Sequence, residues 1–363
     1  MKKITLILLI ILLSSALLIS CSKSSSISKS SLEEIRKELE LEHTPEIASP
    51  FVIREFKPYL KDKWIGNAIS YGCYREGQAP GAKGPSKAEI LEDLDIISEH
   101  WNLIRVYNAD DDSERLLEVI HEYNLPIKVM LGVWLSNEEN KPETKKSNIT
   151  NVLRCIELAN KYPNTIAAVN VGNEVQVFWS WHKMNTENLI RYVRTVRNNT
   201  TLPVTIADDY NFWNKPESKT VAKELDFIVT HIYPLWNGKT LENALEWLDK
   251  NYREVQHNHP EKQLVLGEIG WATKYNADKK GDGEQGSLIK GEVSIKAQEQ
   301  FLILLNNWIN KNEITTFLFE AFDEPWKGGG ENSESFEIEK NWGVFYTDRT
   351  PKKSFVNYLK HKN

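Results

Sequence analysis

The chain has 363 residues, 40% hydrophobic and 26% charged, with a formal net charge of −6. That composition belongs to a folded chain with a sizeable core. The mildly acidic balance leaves no basic footprint for nucleic acid, and three cysteines exclude a disulfide framework in a chain this long.

Met1-Lys2-Lys3 is a basic start, and Ile4 to Leu13 is an apolar run too short for a membrane span. Leu18-Ile19-Ser20-Cys21 then has the form of a bacterial lipoprotein box. Residues 1–20 are expected to be a cleaved signal peptide, with a lipid on Cys21 holding the protein to a membrane of the cell envelope. Ser22 brings no aspartate retention signal, which favours an outer-membrane or surface position. Residues 21–50 read as the lipidated cysteine and a flexible serine-rich tether. Ser31-Leu32-Glu33-Glu34 resembles a capping box, with helix-forming composition over 32–42. Residues 51–363 read as one domain.

From Trp64 onward the chain alternates strand-like and helix-like segments. Strands are expected at 64–71, 102–107, 126–133, 165–172, 202–207, 225–232, 263–267 and 314–321. Helical patterns such as Lys87–His100, Asp112–Tyr123, Ile149–Lys161, Thr186–Asn198, Leu241–Val255 and Ser294–Asn310 lie between them. Parallel strands need such crossovers, and eight units of this kind make an α/β fold, a (β/α)8 TIM barrel. An open doubly wound sheet competes, but Gly66 and Gly72 do not supply the glycine spacing of its phosphate turn.

Catalytic groups of such barrels lie at the C-terminal strand ends. Glu174 follows the fourth strand and Glu268 closes the seventh, on opposite sides of the mouth. Two facing carboxyls about 5–5.5 Å apart suit glycoside cleavage through a covalent intermediate. Asn173 can meet a sugar hydroxyl, and Tyr233 can donate to Glu268 and keep it ionised. Glu268 is then the nucleophile and Glu174 the acid and base. Of the other rim acids, Asp110 to Asp112 read as helix caps, and Asp208 is balanced between capping and sugar contact. Of twelve tryptophans, many fall just after predicted strands: Trp134, Trp179, Trp181, Trp213, Trp236, Trp271, Trp326 and Trp342. Their clustering at one rim fits a groove for pyranose rings, with a minority expected to touch glycan and others to pin the loops together. Arg105 joins the expected substrate contacts. His257 and His259 lack further ligands nearby, and His231 stands alone at a strand end, so no metal and no cofactor is expected.

These strings resemble glycoside hydrolase family 17, the β-1,3-glucanases, and its bacterial branch in particular. The resemblance runs from Ile65 to the C-terminus through Ile65-Gly66, Tyr71-Gly72, Leu103-Ile104-Arg105-Val106-Tyr107 and Val129-Met130-Leu131-Gly132-Val133-Trp134. It continues through Val171-Gly172-Asn173-Glu174, Ile232-Tyr233-Pro234 and Gly267-Glu268-Ile269-Gly270-Trp271. It implies a barrel, a retaining mechanism without metal, and attack on a laminarin-like glucan, with Glu174 and Glu268 in the roles above. It also implies that Glu324 and Lys327 position the nucleophile side, although Asp323, Pro325 and Trp326 depart from the plant pattern. Tyr71 and the string Tyr74-Arg75-Glu76-Gly77-Gln78 resemble a bacterial subsite loop, which implies substrate contact for Tyr71 and, for Arg75, either sugar hydroxyls or a rim acid as partner. The loops 273–293 and 327–341 depart further. A monomeric hydrolase is the expected state. A glucan transglycosylase using the same acids, or a non-catalytic surface glycan-binding lipoprotein, are the alternative readings.

Overall fold

The computed structural model describes residues 27–330 and 336–362. Cys21, the expected signal peptide and most of the serine run therefore lie outside the described residues. Eight parallel strands close into a barrel: β1 (Asn67–Ser70), β2 (Leu103–Arg105), β3 (Lys128–Val133), β4 (Ile166–Asn173), β5 (Val204–Asp209), β6 (Ile228–His231), β7 (Leu264–Ile269) and β8 (Thr316–Leu318), with β8 pairing β1. Helices stand between the strands, so the fold is the (β/α)8 TIM barrel. No helix among the described residues is long and apolar enough to cross a membrane.

Alternation along each strand separates two cores. Ile69, Ile104, Val129, Val169 and Ile206 face the helices. Ala68, Leu103, Met130, Ala168, Ala207, Val229, Val265 and Phe317 fill the barrel interior. Three of these interior residues are alanines, which makes room for Met130 and Phe317 within one closed ring. Phe56 reaches the same interior cluster and stacks on Phe227 with centroids 4.8 Å apart. The first strand is shorter than 64–71 because Trp64 pairs antiparallel with Tyr59 instead.

The segment ahead of the barrel is docked on it. Its helix spans Lys29–Glu40 and starts earlier than the capping-box reading, because Ser28 accepts from the Ser31 amide at 3.2 Å and caps it. Leu39 is buried, and Lys145 donates to the Glu40 carbonyl at 3.2 Å. Further on, Arg191, Arg194 and Asn198 donate to the carbonyls of Glu42, Pro45 and Glu46. Asp226 accepts the Arg54 amide at 2.7 Å.

Candidate active site

The end of β4 turns sharply. Gly172 has φ +104° and Glu174 φ +50°, both in the left-handed region. A non-glycine residue there costs about 1–2 kcal/mol. The Glu174 amide, donating to the Ala207 carbonyl at 2.8 Å, helps hold it. The turn aims Glu174 across the mouth. On β7, Glu268 is register-paired with His231 of β6. His231 lies between the acids, with Nδ1 3.2 Å from Glu174 Oε1 and Nε2 3.5 Å from Glu268 Oε1. One ligand atom from each of the three falls within 4.8 Å of the others. A cation would accept that spacing, but Arg105 already supplies positive charge to the cluster.

The two carboxyls sit in opposite environments. Glu268 Oε1 accepts from Arg105 Nη1 at 2.6 Å and from the Tyr107 hydroxyl at 3.0 Å. Its Oε2 accepts from the Tyr233 hydroxyl at 2.8 Å. Burial alone would raise the Glu268 pKa, but its surrounding charges and donors outweigh burial and hold it below the usual carboxylate range. Burial lowers His231 to about 4, so its ring is neutral at neutral pH and the lasting counter-charge is Arg105. Glu174 has no such donor set. Burial, then the negative charge of Glu268 and of Asp209, raise its pKa well above normal. Glu174 Oε1 and His231 Nδ1 share a hydrogen bond at 3.2 Å, whose direction follows the tautomer of the ring.

Arg105 Nη2 also donates to Asn173 Oδ1 at 2.5 Å, which leaves the Asn173 amide N–H groups for the cleft. Tyr107 and His231 join this cluster, although the sequence did not place them in the candidate site. A signal existed: Arg105-Val106-Tyr107 and His231-Ile232-Tyr233 each place two polar residues at i and i+2, on one side of an extended chain.

A family model described as the BtgE/BtgC glycoside hydrolase domain matches residues 68–343. The chain belongs to the BtgE/BtgC glycoside hydrolase family. The glucan endo-1,3-beta-glucosidase btgC of Emericella nidulans is 26% identical to it over 286 residues, 74% of this chain and 42% of that protein. A provisionally named btgC of Aspergillus niger is 30% identical over 285 residues, 74% of this chain and 40% of that protein. The chain thus spans well under half the length of these relatives. Among solved structures, an endo-laminarinase from Formosa Hel1_33_131 superposes with TM-score 0.69 at 22% identity, covering 82% of this chain and 88% of that one. A glycoside hydrolase family 17 beta-1,3-glucanosyltransferase from Rhizomucor miehei superposes with TM-score 0.62 at 23% identity, covering 79% and 96%. At these identities the likeness is one of fold.

In this BtgE/BtgC domain several expected sugar contacts have other work. Tyr71 is buried and donates to Asp93 at 2.9 Å. Arg75 pairs with Asp93 at 2.6 Å, and Arg349 binds the same carboxylate at 2.8 and 2.7 Å. Asp93 is thus a buried anion shared by two arginines. Asp93→Ala is expected to cost about 3–5 kcal/mol in urea unfolding, because it strands the buried Arg349 guanidinium. Arg105 faces Glu268 rather than the sugar groove. Asp208 accepts the amides of Gln176, Val177 and Asp209, clamping the loop after β4 to the end of β5. Asp110 and Asp209 cap helices. Trp271 is 1% exposed, packs on Phe301 and donates to the Glu292 carbonyl, so it is a core residue. Trp213 and Trp342 are likewise buried.

Glu324 and Lys327 bond to each other at 2.7 Å, and Lys327 also binds Glu320 at 2.6 Å. Their side-chain partners do not include Glu268. The link to Glu268 is indirect: Lys327 lies 4.4 Å over the Phe319 ring, and Phe319 meets the edge of Tyr233. Gly72 permits this cluster, since a Cβ there would stand 2.0 Å from Glu324 Oε1. Trp326 donates to Glu324 at 2.9 Å. Trp236 hydrogen-bonds Glu339, an acid pushed up to about 7 chiefly by burial. Trp134 is half-buried, and Trp179 is 50% exposed. Both keep surface toward solvent, and Trp134 stacks on His182, whose ring reaches the Asn173 carbonyl.

Proposed function

We propose that this domain is a retaining endo-β-1,3-glucanase of glycoside hydrolase family 17. The observation that carries the reading is one proton-poor and one proton-rich carboxyl, with oxygens within 4.8 Å, across the mouth of a barrel. Glu174 donates its proton to the glycosidic oxygen while a Glu268 oxygen attacks the anomeric carbon. The carbon–oxygen bond breaks, the leaving chain carries off the proton, and a glucosyl ester forms on Glu268. Glu174, now ionised, takes a proton from water. The resulting attack at the anomeric carbon releases the sugar and returns Glu268 to its carboxylate. The pair carries one negative charge before and after glycosylation, beside Arg105. Asn173 offers its amide hydrogens to the hydroxyl next to the reacting carbon. The names of the fungal relatives support β-1,3-glucan as substrate.

The test is product analysis on linear β-1,3-glucan, mixed-linkage glucan and β-1,6-glucan. Laminari-oligosaccharides from the first are expected; no new reducing ends from it overturns the reading. Products longer than a supplied oligosaccharide would assign transfer, rather than hydrolysis, to the second half-reaction. The proposal extends to a monomer held by lipid on Cys21 to the cell envelope. Radiolabelled palmitate incorporation that is lost in Cys21→Ala tests the anchor.

The pH profile of kcat/KM follows from the two environments. Activity needs Glu268 ionised and Glu174 protonated, so the profile is a bell. Its acid limb lies below the ordinary carboxylate range and its alkaline limb above it. Tyr233→Phe removes a donor to the carboxylate, so the Glu268 pKa rises and the acid limb moves toward neutrality. A hydrogen bond to a charged group is worth about 1.5–3 kcal/mol, so kcat/KM should fall roughly 10- to 100-fold.

A further inference from the structure

The loop after β4 carries three exposed aromatics, Phe178, Trp179 and Trp181, the last 82% exposed. Large apolar rings left in solvent together mark a surface that meets something. Beside them is a cavity of about 400 Å³ between Trp134 and Trp181, with Ser136, Asn137 and Thr144 among its polar lining residues. That is the size of a small-ligand site.

The cavity is joined rigidly to the catalytic acid. His182 stacks on Trp134 with centroids 4.9 Å apart and takes Trp181 edge-on at 4.8 Å. Its Nε2–H donates to the carbonyl of Asn173 at 2.8 Å, and its Nδ1 accepts from Ser180 at 3.2 Å. The imidazole therefore ties both indoles to the residue next to Glu174. The Asn137 carbonyl oxygen is taken by the Glu139 amide, which leaves its NH₂ group for a ligand.

We propose that this cavity is a remote subsite for a glucosyl unit of the leaving chain, with Trp181 and Trp134 as stacking faces. The inference rests on the glucanase reading and deepens it. A pyranose has an apolar C–H face and an equatorial rim of hydroxyls. Indole faces with amide and hydroxyl groups around them match both. The position selects the leaving chain: Glu174 protonates the oxygen that departs, and the cavity is tied through His182 to the carbonyl of Asn173, the residue just before Glu174. Grip on the leaving chain would favour long substrates, and in the second half-reaction it would hold an incoming glucan.

The test compares kcat/KM on long linear β-1,3-glucan with kcat/KM on laminaritriose, which places at most two glucosyl units on the leaving side. In Trp181→Ala the long-to-short ratio is expected to fall by about 10-fold, equivalent to roughly 1.4 kcal/mol. Thr144→Trp, which fills the cavity, should lower it similarly. Tyr123→Ala, an exposed aromatic at the end of helix Asp111–Glu122, should leave the ratio unchanged. A ratio unchanged in both cavity variants overturns the subsite while leaving the glucanase reading intact. A second readout needs no turnover: Glu268→Gln should be retarded in native gels containing laminarin, and adding Trp181→Ala should abolish the retardation. Retardation that survives assigns the aromatic loop to another partner, such as a protein, and overturns the inference. If the wild type cleaves neither glucan, the glucanase reading fails, and the gel result alone decides whether the cavity binds glucan.

Discussion

Glu268→Ala should lower kcat on β-1,3-glucan by on the order of 10⁴-fold or more, the scale seen when a covalent nucleophile is removed. The Tyr233 hydroxyl, Tyr107 hydroxyl and Arg105 all converge on this one carboxylate. Glu174 faces it from the opposite wall. Azide separates the two roles. In the Glu268→Ala enzyme, azide enters the vacated space and attacks the substrate once, giving the α-glucosyl azide. In Glu174→Ala the ester still forms from an activated aryl glucoside, and azide attacks it to give the β-glucosyl azide. Mass spectrometry and NMR of the products read the difference. The same anomer from both variants would remove the assignment of roles.

Arg105→Met is expected to cost about 3–5 kcal/mol of stability, as a buried pair broken from one side does. Arg105 is fully buried and serves Glu268 and Asn173 at once. Without it, the Glu268 carboxylate sits in the barrel mouth with no cation. Its pKa then rises, so the acid limb of the activity profile moves upward and kcat falls. The double variant Arg105→Met/Glu268→Gln removes both charges. It should regain much of the lost stability in urea unfolding and remain inactive. If the double variant is no more stable than Arg105→Met alone, the loss comes from packing, and the electrostatic account of Arg105 is wrong.

Much of this molecule was legible from one dimension. The continuous apolar runs and the helical segments between them gave the closed barrel, because burial on both strand faces forces β-branched and aliphatic runs and parallel pairing forces crossovers. The motif Gly172-Asn173-Glu174 placed an acid at a strand end, and Gly267-Glu268 placed a second. Strand limits were less legible. The first reads as 64–71 but pairs only over Asn67–Ser70, because the tryptophan at 64 completes a small antiparallel contact whose other half lies outside the pattern.

Side-chain destinations separate what local pattern decides from what only closure of the barrel decides. Rim position is local: a residue just past a strand is at the mouth whatever surrounds it, so Glu174, Asn173, Tyr233 and Trp134 could be placed at the rim from sequence. Exposure is not local. Trp271 and Trp179 both follow strands, yet Trp271 is roofed by Phe301 while Trp179 is in solvent, because different distant elements cover them. Charge pairing is not local either. Arg105 and Glu268 are 163 residues apart, and Arg349 reaches Asp93 across 256. Amino-acid order sets which groups stand at strand ends, through backbone geometry. The closed ring of strands sets which groups meet, and with that which carboxyl keeps its proton, because pKa depends on neighbours in space.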